Sequence, residues 1–355
     1  MKALILAGGK GTRLRPITFT RAKQLVPVAN KPILFYALEA IRDAGITDIG
    51  VIVGDTADEV RAALGDGSCW GVSITYIPQE APLGLAHAVK IAEEFMAGEP
   101  FVMYLGDNLI ANGSTRFVDG FREGGCDAQI LLAHVPNANQ FGVAELGAGG
   151  QVVRLIEKPD DPKSDLALVG VYLFDKQVFE AVNAIKPSDR GELEITDAIQ
   201  WLIDNGRTVR PHIIDGWWKD TGRLEDMLEA NRIMLDSLVP EQNSVPGEGV
   251  LLHGRVGIGA NTTIVNSVVR GPAIIGDECE IRDAYIGPYT SVGDGCKVLA
   301  SEVEHSILLA GSRVEHIGSR LADSLLGVNA AVRRVPGLVS AARVMIGDNS
   351  EVDLG

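Results

Sequence analysis

Lys2-Ala-Leu-Ile-Leu-Ala-Gly-Gly-Lys-Gly-Thr-Arg-Leu14 is an apolar run that gives way to three glycines within four positions and then to Arg13. Lys2–Leu6 predicts a strand, and a strand feeding a Gly-rich turn leaves backbone N–H groups free to face one anion without side-chain interference. Two known glycine loops fail here on spacing. The P-loop needs Ser or Thr after Gly-Lys, whereas Gly9-Lys10 is followed by Gly11. The dinucleotide fingerprint needs glycine where Leu14 stands and an acid about 20 residues on, whereas the first acid is Glu39. Between Met1 and Leu38 lie seven basic residues (Lys2, Lys10, Arg13, Arg15, Arg21, Lys23 and Lys31) and no Asp or Glu, in a chain of formal charge -15. This local positive field points to a small polyanion. An ordinary strand-turn-helix corner is the reading that the glycines alone leave open.

Outward from that stretch, strand-like runs alternate with helical periodicity. Pro32 stands where a helix can begin, Leu34, Leu38 and Ile41 share one face, and Gly45 ends it. The spacing predicts strands at 49–53, 72–77 and 101–105 and helices at 57–64 and 85–96. This βαβα order implies an α/β, Rossmann-like, mainly parallel sheet sandwiched by helices, with ligands at the carboxyl ends of its strands. Further strands at 128–135, 152–157, 168–174 and 208–214, with helices at 178–185, 195–205 and 224–235, make the sheet mixed.

Turn formers in Val239-Pro-Glu-Gln-Asn-Ser-Val-Pro-Gly-Glu-Gly249 mark a boundary, giving domains at 1–239 and 240–355. Beyond it Val256, Val268, Ile274, Ile286, Val292 and Val298 are separated by multiples of six, and glycine follows at Gly257, Gly287 and Gly293. That period predicts a hexapeptide-repeat parallel β-helix, although Thr262 and Glu280 interrupt its phase; a β-sandwich with accidental spacing is the alternative.

A length of 355 residues suits two domains. No apolar run reaches the roughly 18 residues of a membrane helix, and Ala3 to Ala7 is too short for a secretory signal, so a cytoplasmic location without membrane binding is expected. Cys69, Cys126, Cys279 and Cys296 form no C-x-x-C pair, which argues for reduced, structural thiols. The net negative charge argues against nucleic acid, which needs an extended basic face.

Gly8-Gly-Lys-Gly-Thr-Arg-Leu14, with Lys23-Gln-Leu-Val-Pro-Val28 and Asn30-Lys-Pro32, resembles the start of the sugar-nucleotide pyrophosphorylases, most closely the glucose-1-phosphate thymidylyltransferases. The resemblance runs through the whole chain and looks like the long form of that family, which implies that the β-helix is left-handed. It implies transfer of a thymidylyl group from dTTP to glucose 1-phosphate, giving dTDP-glucose and pyrophosphate as the first step of deoxysugar nucleotide biosynthesis.

Residue by residue, the resemblance makes Asp107, in Gly106-Asp-Asn108, and Asp220, in Trp217-Trp-Lys-Asp-Thr-Gly222, ligands of Mg2+, which takes carboxylates together with waters and phosphates. Each Asp taken singly also reads as a turn or N-cap residue. Arg13, Lys23 and Lys158 are the implied catalytic cations. In Glu157-Lys158-Pro159 the Lys holds the sugar phosphate and the Glu accepts sugar hydroxyls; a surface charge pair is the alternative. Gln79 reads the pyrimidine edge, its amide offering both donor and acceptor, and Gly84 lets the base lie against backbone, while His87 reads as a packing residue. Leu6, Gly8, Gly9, Gly11, Thr12, Gln24, Pro82, Gly106, Asn108, Gly142, Val169, Tyr172 and Arg190 complete the implied substrate-binding set. Phe141 stands where the family usually has Tyr, and Glu192 and Glu194 also read as helix-capping groups. A homo-oligomer is expected. A pyrophosphorylase for another base or sugar (UTP, ATP, GTP; mannose 1-phosphate), a bifunctional enzyme with acyltransferase activity in the β-helix and a catalytically silent regulatory subunit stay open.

Overall fold

Successive residues of the first strand are buried on opposite faces: Ala3 and Ile5 enter one core, Leu4 the other, and all three are inaccessible to solvent, as the two-residue period of a strand requires. A strand buried on both faces belongs in the middle of a sheet covered by helices. The computed structural model describes residues 1–111 and 113–334, and in it strands β1 (Lys2–Leu6), β2 (Asp48–Val53), β3 (Ser73–Pro78) and β4 (Phe101–Leu105) alternate with helices α1 (Ile33–Asp43), α2 (Ala57–Leu64) and α3 (Leu85–Ile91). β1 pairs in parallel with both β2 and β4, and β2 pairs in parallel with β3.

There follow β5 (Asn108–Ile110), α4 (Thr115–Arg122), β6 (Ala128–His134), β7 (Gly142–Leu146), β8 (Val152–Glu157), β9 (Leu166–Phe174), α5 (Val178–Ala184), α6 (Ile195–Asp204), β10 (Val209–Ile213) and β11 (Trp218–Asp220). The nine-stranded sheet runs β8-β7-β9-β4-β1-β2-β3, with β6 against β9 and β10 against β6. β9 is buried at every position and antiparallel to β4, β6 and β7, so the sheet is mixed as expected. Leu34, Leu38, Val60 and Phe117 from α1, α2 and α4 cover one face. Val89, Val178, Val182 and Ile199 from α3, α5 and α6 cover the other.

The predicted helix at 85–96 is interrupted at Ala92, whose N–H bonds back to Val89 and Lys90 in a tightened turn, and a short helix Glu93–Met96 follows. The sequence reading has no counterpart for β5, α4 or β7. β5 is too short to show a period, and Gly120 interrupts the helical pattern of α4.

The chain falls into two units. The first comprises Met1–Lys10, Arg21–Leu25 and Ile33–Asp220; the second comprises Gly11–Thr20, Val26–Pro32 and the chain from Thr221 onward. This grouping cuts across the expected boundary at 239/240, and the physical reason is Asn231. It lies on α7 (Leu224–Asp236) and is inaccessible to solvent. Its Oδ1 accepts from the Ala29 N–H (2.9 Å) and the Ser291 hydroxyl (2.6 Å), while its Nδ2 donates to the Tyr289 carbonyl (2.9 Å). Asn30 adds a bond to the Val292 carbonyl at 2.8 Å. A buried amide satisfied from both sides fastens the helix and residues 26–32 to the repeats.

Among the described residues those repeats form three five-stranded parallel sheets. Ladder partners lie 17 residues apart through the first coils, as in Leu251↔Val268 and Val268↔Tyr285, then 16 apart at Lys297↔Arg313 and 18 apart at Val303↔Leu321. Ile258, Ile264, Val269, Ile275, Ile281, Ile286, Val292, Val298 and Val303 fill the interior, none more than 2% exposed. From Ile258 to Val303 the expected six-residue step therefore loses one residue per coil, because the inward positions advance by six, five and six. Val268 and Ile274 of the expected series are only half-buried, and Val269 and Ile275 take the inward places. Left-handed backbone recurs at one corner, at Asn261, Glu278, Gly295, Gly311 and Asn329, a conformation that Asn and Gly adopt most readily. The arrangement is that of a parallel β-helix and is consistent with the left-handed form; the part of the expected repeat domain beyond 334 lies outside the described residues. Cys279 and Cys296 are buried free thiols within it, and burial lifts the Cys279 thiol to about 12. Among the described residues no helix is long and apolar enough to cross a membrane.

Candidate active site

The glycine turn follows directly from β1. A Cβ on Gly8 would lie 3.4 Å from the Gly54 nitrogen and 3.8 Å from Gln79 Oε1, and one on Gly9 would lie 3.3 Å from Gln24 Nε2. Gly11 has φ 61, a left-handed conformation that other side chains resist. Gln24 is 2% exposed, and its Oε1 has no hydrogen-bond partner among the described residues. A buried acceptor left without a donor is costly; beside a turn of bare backbone, it is a place where a ligand's N–H or O–H would be satisfied.

At the carboxyl end of β4, the antiparallel pairing of β5 with β11 sets Asp220 opposite Asn108, and so beside Asp107. Lys23, 6% exposed, brings its ammonium to 2.5 Å from Asp107 Oδ2 and 3.7 Å from Asp220 Oδ1. Two carboxylates more than 100 residues apart in sequence thus converge on one positive charge. Asn108 fixes the orientation of the first: its Nδ2 donates to Asp107 Oδ1 (2.9 Å), and its Oδ1 accepts from the Gly170 N–H (3.2 Å) and the Trp218 indole N–H (2.6 Å). Burial would push the Asp107 carboxyl up, but the Lys23 charge and the hydrogen bonds from Lys23 and Asn108 outweigh it and hold the group below its usual range. Two hard oxygen donors converging on a cation fit Mg2+, which is held by one or two carboxylates plus waters and phosphates.

A second cluster closes β8. Lys158 has φ 42, and its N–H donates to the Phe141 carbonyl at 3.0 Å, so the chain turns sharply just after Glu157. Glu157 Oε1 is 3.3 Å from both Lys158 Nζ and Arg190, while Oε2 accepts from the Thr196 hydroxyl at 3.4 Å. Arg190 also pairs with Glu192 (3.1 Å) and Glu194 (3.8 Å). Glu194, the residue before α6, makes no capping bond and accepts instead from the Ser188 hydroxyl at 2.8 Å. A cavity of about 590 Å³ lies here, lined by Leu155, Glu157, Ser188, Glu194, Asp197 and Gln200. Burial, and then the neighbouring Glu157 charge, pushes the Asp197 carboxyl up.

The third group precedes α3. Gly84 has φ +101, and a Cβ on it would lie 2.3 Å from the Leu193 carbonyl oxygen. The close approach of Leu193 is thus sufficient to require glycine, whatever the base does. His87, read from sequence as a packing residue, makes a side-chain hydrogen bond to Gln79 at 3.1 Å.

The first unit therefore assembles Gly8, Gly9 and Gln24; Lys23, Asp107 and Asp220; Glu157, Lys158 and Arg190; and Gln79 with Gly84. Gly11, Thr12 and Arg13 belong to the second unit, where the Arg13 guanidinium lies against Gly222, 3.0 Å from where a Cβ would stand. Several expected contacts have their side chains inside the protein. Val169 is fully buried in one core cluster and Tyr172 lies in the other, stacked on Phe174 at 6.0 Å. Asn108 spends its amide on Asp107, Gly170 and Trp218. Gly106 packs against Leu34 and the Leu6 carbonyl, each 2.9 Å from a built Cβ, and Gly142 against Thr196 at 2.7 Å. Leu6 packs at the rim of the second core cluster, and Pro82 is exposed. Sequence reasoning missed Trp218, Thr196 and Ser188, whose partners lie 110, 39 and 6 residues away; only for Ser188 was the partner within local reach.

Residues 2–237, which contain all of these groups, match the nucleotidyl transferase family. The chain belongs to that family. It is 56% identical to a glucose-1-phosphate thymidylyltransferase of Streptomyces antibioticus, over 100% of this chain and 99% of the relative. It is 53% identical to the enzyme of the same description from Streptomyces griseus, again over 100% and 99%. Among solved structures, this nucleotidyl transferase resembles a Bacillus anthracis protein in complex with sucrose, provisionally described as a glucose-1-phosphate thymidylyltransferase, with TM-score 0.64 and 37% identity over 68% of this chain and 98% of that one.

Proposed function

We propose that the protein joins dTTP and glucose 1-phosphate, the sugar phosphate oxygen attacking the α-phosphorus in line to give dTDP-glucose and release pyrophosphate. The observation that carries this reading is the convergence of Asp107 and Asp220 on the Lys23 ammonium at the carboxyl end of β4. Both reactants are anionic, and each like-charge pair at about 4 Å costs about 4 kcal/mol at an effective dielectric near 20, so the site must bring positive charge to each. Lys23 serves the nucleotide phosphates and Lys158, in the exposed turn after Glu157, the sugar phosphate. The glycine turn offers its amides to the departing pyrophosphate, and the chain runs from it directly into Arg13, which has the same role. Glu157 is placed to accept sugar hydroxyls, and Gln79 to meet the base. Asp107 and Asp220 would hold Mg2+, which supplies charge neutralisation at the α-phosphate. No protein nucleophile is required; positioning and fixed charge lower the barrier.

In this reading residues 1–239 carry the transfer chemistry, while 240–355 stabilise the fold and mediate association into a homo-oligomer. Deoxysugar nucleotide synthesis in the cytoplasm is the corresponding role. Pyrophosphate release measured across dTTP, UTP, ATP and GTP, each with glucose 1-phosphate and mannose 1-phosphate, tests the proposal. Fastest release with dTTP and glucose 1-phosphate is expected, and release only with a purine nucleotide, or with none, would overturn it.

A further inference from the structure

Both N–H hydrogens of the Gln79 amide have partners outside the glycine turn. Nε2 donates to the Gly84 carbonyl at 3.2 Å and bonds to His87 Nδ1 at 3.1 Å. The amide is thereby oriented with Oε1 on the side of Gly8, 3.8 Å from where a Cβ on that residue would stand. An amide side chain carries its donor and its acceptor at one branch point, and which of them faces a ligand is decided by what holds the other. His87, on the first turns of α3, can hold the donor only while Nδ1 is an unprotonated acceptor. Burial, and then the charge of Lys90, lowers the imidazole below its ordinary value, which keeps that lone pair available at neutral pH and leaves the proton on Nε2.

The geometry points to His87 as a specificity-determining residue: by holding the Gln79 N–H groups, it makes the acceptor, Gln79 Oε1, the atom presented to the base. This rests on the proposed reading of Gln79 as the base contact and adds to it a direction. A base with an N–H at the reading position, such as the imide of thymine or uracil, meets an acceptor. Cytosine, whose ring nitrogen at that position is itself an acceptor, meets lone pair against lone pair. Without His87 only the 3.2 Å bond to the Gly84 carbonyl holds the donor side, so one N–H of the amide is released and the orientation that excludes cytosine is weakened. The discrimination between dTTP and dCTP is therefore set one step behind the residue that touches the base, and it is distinct from discrimination between thymine and uracil, which share the imide edge.

The test is kcat/KM for dTTP, dUTP and dCTP with saturating glucose 1-phosphate in the wild type, His87→Leu, His87→Phe, His87→Asn and Gln79→Ala. Leu and Phe remove the acceptor, Phe keeping a ring; Asn returns an acceptor oxygen at the place of Nδ1. The Leu and Phe variants should lose roughly tenfold of the dTTP-over-dCTP preference, about the worth of one hydrogen bond. Their dTTP-to-dUTP ratio and KM for glucose 1-phosphate should stay unchanged. Asn should restore the preference, and adding His87→Leu to Gln79→Ala should change nothing further, because the two residues act through one contact. Wild-type dTTP-over-dCTP preference in whichever of the Leu and Phe variants folds would overturn the inference, as would failure of Asn to restore it. A Gln79→Ala variant that keeps the preference would remove Gln79 from the base site, a separate result that defeats the reading on which the inference stands.

Discussion

Replacing Lys23 by Met removes the charge that holds Asp107 and Asp220 together. The ammonium lies 2.5 Å from one carboxylate oxygen and 3.7 Å from the other; at 3.7 Å alone the attraction is about 4–5 kcal/mol with an effective dielectric near 20. The desolvation already spent on burying Lys23 is recovered in the variant, while Asp107 and Asp220 both lose the ammonium they share. Removal of one partner from a buried ion pair costs about 3–5 kcal/mol. The carboxylates retain 21% and 25% exposure, which places the expected loss near the lower end, about 3 kcal/mol, or roughly 6–12 °C in Tm. The same site without the ammonium is free to take a divalent cation. Mg2+ at about a hundred times its dissociation constant would return about 2.7 kcal/mol, whereas in the wild type it must displace Lys23 and so stabilises less. Thermal melts of both proteins across a Mg2+ titration, without nucleotide, read this directly. A Lys23→Met protein that melts with the wild type and shows no larger response to Mg2+ would refute the convergence of the two carboxylates on Lys23 as an energetic fact.

Asp107→Asn and Asp220→Asn are isosteric and should fold, yet cut turnover by orders of magnitude and raise the Mg2+ concentration for half-maximal rate; wild-type rates and Mg2+ dependence in both would remove the metal assignment. Because the folded-state pKa of Asp107 is depressed, its pairing stabilises the protein above its unfolded value of about 3.9 and is lost as pH falls through the folded one. The stability gap between wild type and Asp107→Asn, measured by denaturant unfolding, should thus be constant above about pH 5 and shrink in acid, whereas a gap independent of pH would contradict the ion pair. Deleting residues 240–355 takes Tyr289, Ser291 and Val292 from Asn231 and Asn30, so the truncated protein should melt well below the full chain and run at lower mass in solution while keeping measurable turnover. A folded truncation with no turnover at saturating substrates would mean that the coil contributes to the chemistry.

The strand at Lys2–Leu6, the βα alternation and the glycine turn were legible in sequence because they rest on local periodicity and on backbone freedom, which neighbouring residues express by themselves. The repeat after residue 249 was legible for the same reason, but its phase was not. The pairing of successive coils, offset by 17 residues at first and by 16 or 18 later, decides which residues face inward, and the local pattern does not express it. Asp107 and Asp220 were recognisable as carboxylates at strand ends, and the family resemblance implied that they share one ion; that they converge on one positive charge is decided only by the pairing of Trp218–Asp220 with Asn108–Ile110. The same holds for Asn108, named as a substrate contact and found holding Asp107, Gly170 and Trp218. His87 shows the limit most clearly. Its position in a helix gave a packing residue, and nothing in the sequence says that its ring reaches back eight residues to Gln79, because the direction of a hydrogen bond depends on where the turn at Gly84 folds the chain, and that turn is set by Leu193, more than 100 residues away.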